Sequence, residues 1–385
     1  MTNKKILLLS VSAGAGHTRA AEAIRCCAAV PGSGVTAIHL DVMDFVTPLL
    51  RNIYTDFHIS LVSRAPTLWG YLYQVTNRAQ PDGVLQRTRR WLERQNARRL
   101  LKAITTVKPD AIICTHFLPA EILSGLTASG DLACPVWVQV TDFDLHRMWV
   151  HEHMAGYFAA NDEVAFRMRG QGIASDAIHV VGIPIMPVFA QPLARSTCAR
   201  EFGLDPCKAT LLLMGGGAGL GSLEKIAQRL LAANLDFQLI VLAGNNGAAL
   251  AALRQLALRH PGRLWAQGHT KQVERLMACS DVVITKPGGL TTAECLALGL
   301  PMIINAPIPG QEERNADFLL EQGVALKATD GVTLEYRVRH LLAHPEKLTD
   351  MRGKAWALGL PHAAQDVLDI VLDKLMDQGN RDALL

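Results

Sequence analysis

Aromatic residues make up only 5% of the 385 positions, and charged residues only 19%, with a net of +3. So small a net charge does not by itself call for a nucleic-acid partner. Eight cysteines occur, but no CxxC pair is among them. Cys26 and Cys27 are adjacent within a helical pattern and project to different faces, which suits buried, reduced thiols better than a shared metal. No run of about 18 apolar residues is present, so no membrane-spanning helix is expected. A secretory leader is not expected: the apolar run Ile6–Val11 is short, and Gly14, Gly16 and His17 follow at once. It reads as a first β-strand.

What the chain has in plenty is apolar residues, 49% in all, arranged as short runs between helical patterns. That is a globular composition, and the length suits two domains of roughly 150–200 residues. Strands are predicted over Lys5–Val11, Val35–Leu40, Asp110–Thr115, Val136–Val140, Gly156–Ala160 and Ile178–Val181. A second set follows over Ala209–Met214, Gln238–Ala243, Arg263–Ala266, Asp281–Thr285, Pro301–Asn305 and Val324–Lys327. Alternation of this kind specifies βαβ units and parallel sheets. Both halves open with strand, glycine loop and helix. Between them lies a proline-rich run, Val180–Ser196, that suits a hinge. The expected fold is α/β, two Rossmann-like doubly wound domains with a cleft between them. The boundaries fall at 1–190, 191–360 and a C-terminal helical segment 361–385, expected to pack back on the first domain. In this helix Val367, Ile370, Val371 and Leu375 share a face.

Three segments of the second half carry chemistry. "TKPGGLTTAECLALGLP" runs from Thr285 to Pro301. Gly288 and Gly289 let backbone approach a ligand, Thr291 or Thr292 can cap the following helix, and Glu294 is expected in its first turn. A carboxylate there can hold a ribose diol, or it can be only a helix-start charge. "PIPGQEERNADFL" (Pro307–Leu319) places Gln311 and Glu312 at a strand-to-helix turn, with Asn315 one turn on; these polar groups suit sugar hydroxyls. "MGGGAGLG" (Met214–Gly221) is a backbone nest for a diphosphate, but no P-loop, because no Gly-Lys-Ser/Thr follows.

GGLTTAE followed by PGQEERNA resembles the donor half of the family 28 glycosyltransferases. With SAGAGH, TDFDLHRMW (Thr141–Trp149) and KPGG, the set resembles the processive diacylglycerol glucosyltransferases and the monogalactosyldiacylglycerol synthases. The resemblance implies the GT-B fold, with a UDP-sugar on the C-terminal domain and the acceptor on the N-terminal one. It implies that Gly215, Gly216, Gly217, Gly219, Gly288 and Gly289 line the UDP phosphates, together with Lys286 and Thr291. Glu294 would hold the ribose, Gln311 and Glu312 the sugar, and Asn315 the turn. Gly268 and His269, within Gln267–Thr270, would flank the uracil.

In the first half, His17 begins a helix behind Gly14 and Gly16. The helix dipole favours its neutral, basic form. It is a candidate for the base that takes the acceptor's proton, or for a group bonding the donor phosphate; a helix-start histidine bonded to backbone is the plain alternative. Asp142 could orient His17 or be the base itself. Asp142-Phe143-Asp144 mimics a DxD metal motif, yet no metal and no tightly bound cofactor is expected. His146 and Trp149 are read as acceptor-side residues or as packing. Eight basic residues lie between Arg78 and Lys102, against Asp82 and Glu93. Arg89, Arg90 and Trp91 here, with Trp69 upstream, suit an anionic membrane surface; a solvated face or a nucleic-acid patch are the alternatives.

The sequence-based expectation is therefore a peripheral enzyme at the cytoplasmic face of a membrane. It moves a hexose from UDP-glucose or UDP-galactose to diacylglycerol, with inversion and no nucleic-acid partner. The rivals are the same transfer to another lipid or polyprenyl acceptor, a UDP-sugar epimerase, and a non-catalytic UDP-sugar sensor.

Overall fold

A computed structural model describes residues 3–12, 14–46, 98–215 and 223–382. The chain divides into two compact units, Met1–Pro187 with Leu360–Leu385, and Val188–Gly359. The proline-rich run around Pro184, Pro187 and Pro192 thus contains the first boundary.

In the first unit, β1 (Lys4–Ser10), β2 (Val35–Asp41), β3 (Ala111–Cys114), β4 (Val136–Gln139), β5 (Gly156–Ala159) and β6 (Ile178–Val180) form one sheet. Its order is β2-β1-β3-β4-β5-β6 and every pairing is parallel. In the second, β7 (Thr210–Met214), β8 (Gln238–Leu242), β9 (Leu264–Gln267), β10 (Val282–Thr285), β11 (Met302–Asn305) and β12 (Ala325–Ala328) form another. Here the order is β12-β11-β10-β7-β8-β9, again all parallel. The strands begin and end within one residue of their sequence-based spans. Both units are Rossmann-like, the doubly wound folds of a GT-B chain.

The apolar runs are continuous because both faces of each sheet are covered. Leu7, Leu9, Ile112 and Cys114 enter one core of the first unit. Ile6, Leu8, Ala111 and Ile113 enter the other, packed by helix Ala15–Ala28 and by Val367, Leu368 and Val371. These last belong to helix Ala363–Asp382.

Each sheet reverses its winding once, between β1 and β3 and between β7 and β10. Ligands of such sheets bind beyond the strands' carboxyl ends at this switch. At the opposite, amino ends, one aspartate joins each pair of switch strands. Asp110 N donates to Lys5 O at 2.7 Å, and Lys5 N donates to Asp110 Oδ2 at 2.7 Å. In the second unit, Asp281 N donates to Thr210 O at 2.8 Å, and Thr210 N donates to Asp281 Oδ2 at 2.8 Å. Asp281 also takes a bidentate pair from Arg195, with both N–O distances 2.8 Å. Asp110 has instead a single longer contact to Lys4 Nζ, at 3.4 Å.

Substituting Asp281→Ala is expected to cost about 2–3 kcal/mol, because it strands the Thr210 N–H and removes the bidentate carboxylate from Arg195. Asp110→Ala loses less, about 1 kcal/mol. Guanidinium unfolding of each variant checks the order.

Candidate active site

The end of β1 leads through Gly14 into helix Ala15–Ala28, with His17 its third residue. An added Cβ at Gly14 would meet nothing within 4 Å, so the space beside this loop is open. Across the switch, β3 ends at Cys114 and presents Thr115 and His116. His17 Nδ1 lies 2.9 Å from Thr115 O and 2.9 Å from Thr141 Oγ1. Thr115 Oγ1 donates to His17 O at 2.9 Å. His116 caps helix Phe117–Ala128 by accepting Leu118 N–H at Nδ1, 3.0 Å away. The His17 and His116 rings meet edge to face at 4.6 Å, and Trp149 lies 6.2 Å from both ring centroids.

Most of the segment Thr141–Trp149 is buried, with Arg147 exposed. Asp142 and His146 are each 4% exposed and Trp149 is 3% exposed. His146 Nδ1 accepts Met148 N–H at 3.1 Å, which forms the one-turn helix Arg147–Trp149 and aims Trp149 at the histidine pair. Asp144 lies 3.4 Å from Arg167. Its half of the DxD pattern therefore faces a guanidinium. Among the described residues, no group of three or more His, Cys, Asp or Glu side chains is arranged to hold a metal.

The second unit gathers its polar groups beyond β7, β10 and β11. Helix Gly289–Ala297 starts earlier than its threonines suggest. Gly288 is the N-cap, and Thr292 N donates to Gly288 O at 2.9 Å. Thr292 Oγ1 is buried and caps nothing. The chain enters the helix directly from the Gly288–Gly289 pair, so hydrogen bonding begins at the Gly288 carbonyl. Glu294 consequently lies in the second turn, not the first, where the dipole no longer favours it. It is a carboxylate only 5% exposed.

Gly310, at φ 92°, turns the chain into helix Gln311–Glu321, and Glu313 accepts its N–H at 3.1 Å. Glu312 Oε2 accepts Ile308 N–H at 2.7 Å. Burial pushes the Glu312 carboxyl above its usual range, against the pull of that N–H and of Lys286. Burial likewise pushes the Lys286 ammonium down, against the pull of Glu312. Asn315, fully buried, donates to Pro287 O at 3.0 Å and so ties this helix to the KPGG turn. Ala306, before Pro307, has φ 47°, a strained conformation for a residue with a side chain.

Gln267 and Gly268 border a cavity of about 270 Å³ beside edge strand β9, which is also lined by Phe202, Ile240, Arg254 and Trp265. His269 follows them in the chain. Gly215 ends the described part of its loop. Gly216, Gly217 and Gly219 lie outside the described residues, as do Trp69, Arg89, Arg90 and Trp91. Of the basic cluster, Arg98, Arg99 and Lys102 are described, all exposed on a helical stretch over 98–107.

Residues 17–185 match the family described as monogalactosyldiacylglycerol (MGDG) synthase, and residues 210–367 match the glycosyltransferase family 28 C-terminal domain. The chain belongs to the family 28 glycosyltransferases. It is 29% identical over 374 residues to the processive diacylglycerol beta-glucosyltransferase of Bacillus pumilus, covering 97% of this chain and 96% of that protein. The protein of the same name from Bacillus licheniformis is 27% identical over 375 residues, covering 97% and 96%. Two solved structures share the fold. Acinetobacter baumannii MurG has a TM-score of 0.63 at 16% identity, covering 96% of this chain and 99% of that one. The UDP-GlcNAc 2-epimerase of Neisseria meningitidis bound to UDP-GlcNAc has 0.59 at 13%, covering 96% and 100%.

In this family 28 chain, sequence reasoning passed over Thr115 and His116 and gave Thr141 no role. The available signal was position: a Thr-His pair directly after a strand beside the switch. In the second unit, the Asn315–Pro287 bond ties two separate turns together. Asn315→Ala is expected to cost about 1–3 kcal/mol, because it leaves the Pro287 carbonyl without that partner. Thermal or urea unfolding of the variant measures it.

Proposed function

We propose that this family 28 glycosyltransferase is an inverting hexosyltransferase that moves glucose from UDP-glucose to the hydroxyl of diacylglycerol. Two relatives named diacylglycerol beta-glucosyltransferase, aligned along nearly the whole chain, support both the acceptor and the sugar. UDP-galactose is the competing donor, and the name of the first matched family supports it. The first unit serves the acceptor and the second the donor.

The observation that carries the reading is the pairing of His17 with β3 at the first switch. The ring of His17 has its Nδ1 against a carbonyl and a hydroxyl, which leaves Nε2 as its basic atom. In the reaction, the acceptor oxygen attacks the anomeric carbon and the bond from that carbon to UDP breaks. His17 Nε2 takes the hydroxyl proton, and UDP leaves. Asp142 is the alternative base.

In the second unit, Gly215, the Gly288–Gly289 helix start and Lys286 face the diphosphate, whose charge the helix terminus and the ammonium offset. A bound diphosphate raises the pKa of Lys286 back towards its ordinary value. Glu294 takes the ribose hydroxyls. Gln311 and Glu312 take the sugar, Asn315 holds their turn, and the uracil lies by Gly268 and His269. No metal has a role in this scheme. The enzyme works at the cytoplasmic face of an anionic membrane, held by the basic stretch between Arg78 and Lys102. No helix among the described residues is long and apolar enough to cross a bilayer.

The test uses the full chain with labelled UDP-glucose or UDP-galactose and vesicles of diacylglycerol in phosphatidylglycerol. Labelled glycolipid is the expected product. His17→Ala is expected to lower kcat at least about 100-fold. Glu294→Ala is expected to raise the KM for donor. Free sugar or an epimer without glycolipid overturns the reading, and an undiminished His17→Ala rate removes His17 as base.

A further inference from the structure

The Nδ1 edge of His17 is held by two segments far apart in sequence. A carbonyl oxygen carries no hydrogen, so the 2.9 Å contact with Thr115 O requires an N–H at Nδ1. Thr141 Oγ1, also 2.9 Å from Nδ1, offers a lone pair to the same hydrogen. Thr141 itself is 4% exposed, two residues past the end of the buried strand β4, so the residue is built into the interior. The ring's tilt is set by His116, edge-on at 4.6 Å and 83°, and by Trp149. His116 has the opposite tautomer when neutral: its Nδ1 accepts Leu118 N–H, so its hydrogen is on Nε2. Its own Nδ1 is thereby occupied by the helix it caps.

We infer that Thr141 is a positioning residue that, with the Thr115 carbonyl, locks His17 in the tautomer with its hydrogen on Nδ1 and makes Nε2 the proton-accepting atom. The inference deepens the proposed transfer reaction and rests on it for its kinetic consequence. Two acceptors on one N–H favour the imidazolium over the neutral ring, because the hydrogen bonds strengthen as charge arrives. They therefore make Nε2 a stronger base without placing a full charge beside it. Among the described residues, His116 meets the ring edge-on, Asp142 follows Thr141 in the chain, and His146 caps the turn that carries Trp149.

The test has two arms. In the first, the full chain labelled with 15N-histidine is read by long-range nitrogen–proton correlation, and the His17 signals are identified by their loss in His17→Gln. The expected pattern is a pyrrole-type Nδ1 and a pyridine-type Nε2. A pyridine-type Nδ1 overturns the inference, whether or not the protein transfers sugar. This separates its failure from that of the transfer reading. In the second arm, Thr141→Val, close in shape but lacking the hydroxyl, is expected to lower kcat about tenfold, the loss of one hydrogen bond to a charged ring. The KM for UDP-sugar stays unchanged. The acid limb of the rate profile moves to lower pH, because the imidazolium has lost an acceptor. Thr141→Ser, which restores the hydroxyl, is expected to return the limb towards the wild-type position. An acid limb and kcat that do not move in Thr141→Val remove Thr141 from the role.

Discussion

The frame of each unit depends on one reciprocal pair of hydrogen bonds, made by an aspartate just before the strand that crosses the switch. Asp110 exchanges two bonds with Lys5, and Asp281 exchanges two with Thr210. A register slip of one residue would send each apolar side chain of β3 or β10 into the opposite core, where its packing partners differ. Fixing the amino ends of the switch strands fixes where their carboxyl ends stop. Those ends carry Thr115 and His116 in one unit and Lys286 and Pro287 in the other. Both clamps grow from the same local grammar, an aspartate followed by an apolar run, in KPDAIIC and CSDVVIT.

On this shared frame the two units place different chemistry. The first gathers imidazoles, hydroxyls and an indole, groups that handle a proton with little net charge. The second buries ionisable groups that oppose their own ionisation: Lys286 is pushed down and Glu312 pushed up. Burying a charge is costly unless something compensates it. The two groups attract each other, but burial outweighs that attraction in both. A site of this kind is poised for a ligand that brings charge and hydrogen-bonding groups of its own, as a sugar diphosphate does.

The fold was legible because parallel sheets leave a strong trace. Continuous runs such as Ile6–Leu9 and Val282–Ile284, punctuated by glycine and proline, cannot be solvent-faced strands. Candidate site residues were read from loop composition after those runs, and the structure brings Lys286, Glu312 and Asn315 to one pair of turns. The errors arose where composition and hydrogen bonding diverge. Thr291 and Thr292 look like caps, yet Gly288 is the N-cap, so the helix begins about one turn sooner and Glu294 falls in its second turn. Thr141 was unreadable for a different reason. Its role exists only through a contact with His17, 124 positions away. No local periodicity encodes that contact.

The same strand position does different work in the two units. Thr115 follows β3 as Lys286 follows β10, since Asp110 and Asp281 stand at matching places before them. In the first unit this position is bonded back to the β1 helix twice. Thr115 Oγ1 donates to His17 O, and His17 Nδ1 donates to Thr115 O. The segment around β3 is therefore fastened to that around β1 at both ends, by Asp110 and by Thr115, and His17 is held as firmly as the sheet. In the second unit the carbonyl after Lys286 is gripped instead by Asn315, from the helix that follows β11. The turn that bears Lys286 is thus steadied from outside the switch. One unit spends its switch position on holding an imidazole still. The other keeps that position for a charge, and takes its rigidity from a neighbouring helix.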